Sequence, residues 1–157
     1  MNKLQLLHHI VRPTLIEIPR GLTEESELAI MMIIAHESKR GEYVRQVGAG
    51  PALGLIQMEP ATHDDVWKHG DSVWENARNM DIIDVYDYNV KIHPDSSRLV
   101  YDLRYNVFMA RQRLFMKSEA LPIGDKLKMS RYLKKHWNSA QGRATFDSYY
   151  KDYKKWV

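Results

Sequence analysis

"TEESELAIMMIIAHESKRG", residues 23–41, is the stretch on which the fold turns. Thr23 stands where an N-cap belongs, and Glu24, Glu25 and Glu27 fill a first turn that favours negative charge. Gly41 supplies a stop. Between them the residues are apolar all round, which predicts a buried helix. Ile30, Ile33, Ile34 and Glu37 fall at i, i+3, i+4 and i+7. An ionisable carboxyl therefore continues the apolar face at the helix's C-terminal end.

The same pattern continues outward from this helix. Residues 1–22 read as a short helix and a turn punctuated by Pro13, Pro19 and Gly21. Residues 42–58 carry Gly48, Gly50, Pro51 and Gly54, which predict turns with room for a short hairpin. "EPATHDDVWKH" starts a helix at Pro60, and "DSVWENARN" reads as a shorter one. Residues 80–94 fit a loop, a strand or a helix equally. "DSSRLVYDLRYNVFMARQRLFMK" predicts one helix with Leu99, Leu103, Val107, Ala110 and Leu114 on a stripe. "GDKLKMSRYLKKHWN" gives another, ending near Asn138. "TFDSYYKDYKKWV" gives a last one, with Phe146, Tyr149, Tyr150 and Tyr153 inward. The sum is one mainly α domain over residues 1–157, with no repeat and no linker.

Composition bounds the function. At 157 residues and 44% hydrophobic, the chain can bury one core. With no Cys, disulfides and thiolate metal sites are excluded. A net charge of +3 favours an anionic contact without choosing one. The start "MNKLQLLHHIVRPTL" lacks the apolar run and cleavage site of a signal peptide. The longest apolar run, Leu28 to Ala35, falls far short of the ~20 residues of a membrane span.

Glu37 is the first candidate for chemistry. A desolvated carboxyl has a raised pKa, and one kept protonated near neutrality can give a proton to a leaving group. The bland alternative is a helix end whose Glu37 points to water or pairs with Lys39, Arg40 or Arg45. In the loop that follows, Gly48, Gly50 and Gly54 permit close backbone approach, and Gln57 offers an acceptor and two donors. An ordinary turn with a capping glutamine would look the same. "His36-Glu37" is not a zinc-protease motif, because position 40 is Arg where a second His is required. No metal and no cofactor is expected. "KLKMSRYLKKHW" and "YYKDYKKW" mix basic and aromatic residues as nucleic-acid binders do, yet they read better as solvated faces of amphipathic helices.

Taken together, "Glu37-Ser38", "Gly54-Leu55-Ile56-Gln57-Met58" and "Pro60-Ala61-Thr62" resemble the soluble-lytic-transglycosylase type domain of the lysozyme-like superfamily. In that family a catalytic Glu followed by Ser ends a buried helix, with "Gly-Leu-Met-Gln" and "Pro-x-Thr" soon after. "Leu103-Arg104-Tyr105-Asn106-Val107" is similar to the family's Asn-bearing helix. "His136-Trp137-Asn138-Ser139-Ala140-Gln141-Gly142-Arg143-Ala144" is similar to its "Ala-Tyr-Asn-Ala-Gly-Pro-Gly" turn. The motifs span roughly residues 23–150, in the family's order, with the flavour of compact phage members.

The resemblance implies an α+β lysozyme-like fold with at most a small β hairpin. It implies cleavage of the β-1,4 bond between N-acetylmuramic acid and N-acetylglucosamine in peptidoglycan. Glu37 would be general acid and then base, Ser38 and Gln57 would bind substrate, and Asn138 would hold a sugar substituent. Trp137 stands where the family has a Tyr, and would stack on a sugar. "Gln141-Gly142" departs from "Gly-Pro-Gly". A transglycosylase needs one carboxyl, whereas a hydrolase needs a second, for which Glu42, Glu59, Asp64 and Asp65 are the candidates. The partners implied are peptidoglycan glycan strands, and other virion proteins if the chain rides in a phage particle. It would then sit in the virion or the host cytoplasm before reaching the wall. The rival reading is a non-catalytic, lysozyme-like virion or wall-binding protein.

Overall fold

The computed structural model describes residues 1–138 and 142–157. The chain folds as a single, mainly helical domain. Short helices α1 (Lys3–Leu6) and α2 (Arg12–Glu17) are joined by a π turn over Leu7–Val11. α3 (Glu24–Glu37) and α7 (Leu103–Phe115) form the buried centre. Between them lie α4 (Pro60–His69), α5 (Val73–Asn79), α6 (Val85–Val90) and a 3₁₀ turn at Ser96–Val100. α8 (Lys126–His136) and α9 (Ser148–Lys154) complete the chain, and both pack on α3. No described helix is long and apolar enough to cross a membrane.

α3 forms as its sequence predicts. The Thr23 hydroxyl accepts from the Ser26 N–H, and the Ser26 hydroxyl accepts from the Thr23 N–H, each at 2.9 Å. This reciprocal box satisfies two donors that a helix start leaves unpaired. Every residue from Ala29 to Ala35 is buried. Arg12 clamps α2 to the first turn of α3 through two bonds to Glu27, at 2.8 and 2.7 Å.

Three expectations are corrected. Pro13 does not end the first helix. The Arg12 N–H reaches back to Leu7, and this wider turn makes room for a ring that would clash in a regular helix. The Thr14 hydroxyl then takes the Ile10 carbonyl at 2.7 Å. The stretch 95–117 is not one helix. It breaks at Tyr101, and Asp102 caps a fresh start by accepting from the Tyr105 N–H. Phe146 is 52% exposed, not inward. Residues 80–94, undecided from sequence, hold α6, capped by Asp84.

Among the described residues the β content is two isolated bridges, Arg45 with Leu53 and Leu53 with Met58. They tie off the loop Gly54–Gln57, whose tip residues Leu55 and Ile56 are fully buried. The loop is thus a plug in the core, not an open rim. Gly54 has φ +80° and lies so close to α7 that an added Cβ would fall 2.2 Å from Asn106 Oδ1 and 2.6 Å from the Leu99 carbonyl. Its close approach serves this packing.

Candidate active site

Glu37 is the last residue of α3 and is half-buried. Its position is enforced from both sides along the chain. The Tyr43 hydroxyl donates to the Glu37 carbonyl at 2.9 Å, which satisfies a carbonyl left over at the helix end. His36 Nδ1 meets Asp152 Oδ2 of α9 at 2.6 Å. Arg40 donates to the Asp152 carbonyl at 3.3 Å. α9 is thereby fixed across the end of α3.

This docking delivers Tyr149. Its ring is fully buried and lies 4.4 Å from the His36 ring, centroid to centroid. Its hydroxyl donates to Glu37 Oε1 at 2.5 Å. Lys134 Nζ donates to Asn138 Oδ1 at 3.0 Å, and Asn138 neighbours the Tyr149 hydroxyl. Among the described residues Tyr149 is the donor that orients the carboxyl. Gly142 belongs to the arrangement, because a Cβ there would lie 1.9 Å from Asn138 Oδ1.

Burial pushes the Glu37 pKa up. The Tyr149 hydrogen bond, His36 and Arg113 pull the other way and do not cancel it. Tyr149 is itself pushed well up, by burial first and by the neighbouring Glu37 charge, so it stays a neutral donor. Glu37 Oε2 has no hydrogen-bond partner among the described residues. One carboxyl oxygen is held and the other is left to carry a proton.

Arg113 of α7 closes the site. Its guanidinium lies 4.3 Å over the Trp137 ring and donates to the Trp137 carbonyl at 3.1 Å. It feels the charges of Glu37, Asp65 and Glu59. It also lines a cavity of about 390 Å³ with Thr62, Asp65, Met116 and Lys117. Among the candidate second carboxylates, Asp65 is the one on this cavity, exposed and 3.5 Å from His69 Nε2. Glu42 and Glu59 are exposed too, and Asp64 is taken up by His63 at 2.8 Å.

The residues expected to bind substrate fare differently from Glu37. Ser38 is fully buried, and its hydroxyl donates to the Ile34 carbonyl and accepts from the Gly41 N–H. It caps α3, and its capacity is used within the fold. Trp137 is 5% exposed with Arg113 over its ring, so no sugar can stack on it in this arrangement. Gln57, at φ +47°, donates to the Gly54 carbonyl of its own loop at 2.9 Å. Asn138 Oδ1 accepts from Lys134 Nζ. Ser139, Ala140 and Gln141 of the final motif lie outside the described residues. Sequence reasoning missed Tyr149 and Arg113. Tyr149 reads as one more apolar position on an amphipathic helix, and only the α3–α9 crossing gives its hydroxyl a task.

One described group could offer three ligand atoms to a metal ion. His63, Asp64 and His93 bring theirs within 4.8 Å of one another. The proton positions argue against that use. Trp67 Nε1–H donates to the Tyr105 oxygen at 2.9 Å, and that oxygen lies 2.7 Å from His63 Nε2. The Tyr105 proton has His63 Nε2 as its acceptor, so Nδ1 carries the imidazole proton and gives it to Asp64. Every group in this chain is satisfied without an ion.

Burial also pushes the His63 pKa down, against the pull of Asp64 and with a small push from His93. Its folded value lies below its unfolded one, so the unfolded chain binds more protons across the interval between them. Stability is then lost as pH falls from about 6.5 through the depressed folded value. Urea midpoints measured from pH 7.5 to pH 5 should fall more steeply for the wild type than for His63→Gln.

No protein-family model matches the sequence, and no curated protein or solved structure matches it.

Proposed function

We propose that this protein cleaves the β-1,4 bond between N-acetylmuramic acid and N-acetylglucosamine in peptidoglycan, as a lytic transglycosylase. The observation that carries the reading is the Glu37 carboxyl, half-buried at the end of a buried helix with its pKa raised, one oxygen held by Tyr149 and the other unpartnered. The resemblance of the Glu37-Ser38 and Gly54–Met58 stretches to that family points the same way. Glu37 gives its proton to the bridging oxygen as the bond from the muramic acid anomeric carbon breaks. The carboxylate then takes the proton of the sugar's own 6-hydroxyl, whose oxygen closes on that carbon as a 1,6-anhydro ring. One carboxyl suffices. The setting proposed is a phage enzyme for wall penetration or lysis, whose partners are glycan strands and other virion proteins.

Mass spectrometry of digested peptidoglycan tests this. Fragments ending in 1,6-anhydromuramic acid, absent with Glu37→Gln, are the expected result. Reducing-end muramic acid would instead assign a hydrolase and make Asp65 the residue to change next. A second reading, a non-catalytic wall-binding protein, draws on Ser38, Gln57 and Trp137 being engaged within the fold. It predicts wall binding with no fragments from either protein.

Tyr149→Phe probes the hydrogen bond to Glu37. Loss of its hydrogen bond removes an influence that lowers the Glu37 pKa, so the alkaline limb of the pH–rate profile should move to higher pH. The variant should also lose about 1 kcal/mol of stability with the hydrogen bond to Glu37. An unchanged profile would mean that Tyr149 does not hold the reacting form of Glu37.

A further inference from the structure

The basic stretch "KLKMSRYLKKH" forms α8, and it concentrates the positive charge of the chain. Lys126, Lys128, Arg131, Lys134 and Lys135 stand on it with no Asp or Glu among them. Residues 126–157 hold nine Lys and Arg against two Asp, a net +7, while residues 1–125 hold 14 Lys and Arg against 18 Asp and Glu, a net −4. The overall +3 hides this separation. The apolar side of α8 is spent on the core, where Met129, Tyr132 and Leu133 are buried. Its outward side is a stripe of cations. Lys128, Arg131 and Lys135 fall at i, i+3 and i+7, and all three are exposed. At 1.5 Å per residue the stripe runs roughly 10 Å.

Neither Lys128 nor Arg131 has a carboxylate within ion-pair distance among the described residues. Lys135 Nζ meets Glu119 Oε2 at 3.1 Å, and His136 shares that carboxylate. The stripe borders a groove of about 370 Å³, walled on its other side by Ala120, Pro122 and Tyr132. Large apolar side chains stand in water beside these cations. Ile123 follows Pro122 and is 81% exposed. Gly124, at φ +73° with open space around it, turns the chain from there into α8. Phe146 is exposed as well, and the Arg131 guanidinium lies 5.2 Å over its ring.

We infer that this face docks on an anionic lipid surface, with Lys128, Arg131 and Lys135 at the headgroups and Ile123 and Phe146 entering the layer between them. Two kinds of contact stand together here. Cations are drawn to an anionic bilayer, and apolar side chains beside them gain by leaving water. α8 cannot insert its own apolar side, so the apolar contact comes from its neighbours. A soluble polyanion such as nucleic acid would engage the cations and leave Ile123 wet, since that side chain has no flat face on which a base can stack. The docking is peripheral, and it stands whether or not Glu37 cleaves glycan.

Vesicles of phosphatidylcholine containing phosphatidylglycerol are the probe, in co-sedimentation against vesicles of phosphatidylcholine alone. The protein should bind only the mixed vesicles, and should lose about tenfold in affinity between about 50 and about 500 mM sodium chloride. Lys128→Glu combined with Arg131→Glu should weaken binding by about tenfold or more. Lys68→Glu combined with Arg78→Glu makes the same change of charge on exposed positions of α4 and α5 and should cost about twofold at most. Ile123→Ser should weaken binding about threefold to tenfold. All variants are checked for folding by circular dichroism. The chain has no Cys, so a polarity-sensitive dye on Ile123→Cys reports the tip directly. Its emission should shift to the blue on the mixed vesicles, and the same dye on Lys68→Cys should not move. Equal binding to phosphatidylcholine alone, equal losses in the two charge-reversed pairs, or an unshifted dye at position 123 would overturn the inference. So would duplex DNA binding more tightly than the mixed vesicles with Ile123→Ser unimpaired, which would assign the face to nucleic acid.

Discussion

Glu37→Gln should lower peptidoglycan cleavage by about 10²–10⁴-fold while making the protein more stable near neutral pH. The two effects have one cause. Burial raises the folded pKa of Glu37 above its unfolded value, so the stability linked to its proton is fully present below the unfolded pKa and is lost as pH rises through the folded one. Above its folded pKa the native state bears a carboxylate that its surroundings disfavour. Glutamine keeps the shape, accepts the Tyr149 hydrogen bond and carries no charge. A gain of about 1 kcal/mol, or roughly 2–4 °C in the midpoint of a domain this size, is expected. The gain should shrink as the pH is lowered to about 4.5, where Glu37 is also neutral. Calorimetry of both proteins across pH 4–8 measures it. A variant that loses activity and stability together would show that Glu37 is a structural carboxyl.

Gly54→Ala should be severely destabilising for a change of one methyl group. Alanine at φ +80° is strained by about 1–2 kcal/mol. Its methyl group would also fall 2.2 Å from Asn106 Oδ1 and 2.6 Å from the Leu99 carbonyl. Asn106 cannot swing aside cheaply, because its Nδ2 donates to the Leu99 and Asp102 carbonyls at 2.7 and 2.8 Å. A total loss of about 3–5 kcal/mol is expected, and it should be visible as a lowered denaturant midpoint. Gly48→Ala is the matched control. Its φ is +91°, so it is strained too, but nothing lies within 4 Å of the added methyl. Equal losses for the two variants would refute the packing role of Gly54.

The contrast between these two residues shows what the sequence could convey. The cap at Thr23, the apolar run and the place of Glu37 at its end are local properties, legible from spacing and propensity. So is the start of α4 at Pro60. The Gly54–Gln57 stretch reads as a turn from its glycine, and the structure shows it turning into the core. Glycine and glutamine look alike in a loop that meets a substrate and in one that meets its own core. The long α7 stripe misled in another way. From Tyr105 to Gln112 the helix is buried on all sides, with Asn106, Arg111 and Gln112 inside. Periodicity assumes a wet face, and α7 has none over that span. Tyr149 and Arg113 reach Glu37 only through the way helices cross, which no window of sequence contains.

The hydrogen bond from Tyr149 to Glu37 joins residues 112 positions apart. During synthesis, α3 leaves the ribosome long before its partner does. At about 5–20 residues per second, several seconds separate the two. Until α9 arrives, Glu37 lacks the Tyr149 hydroxyl that holds its Oε1. A chain that stops before residue 149 never forms that bond.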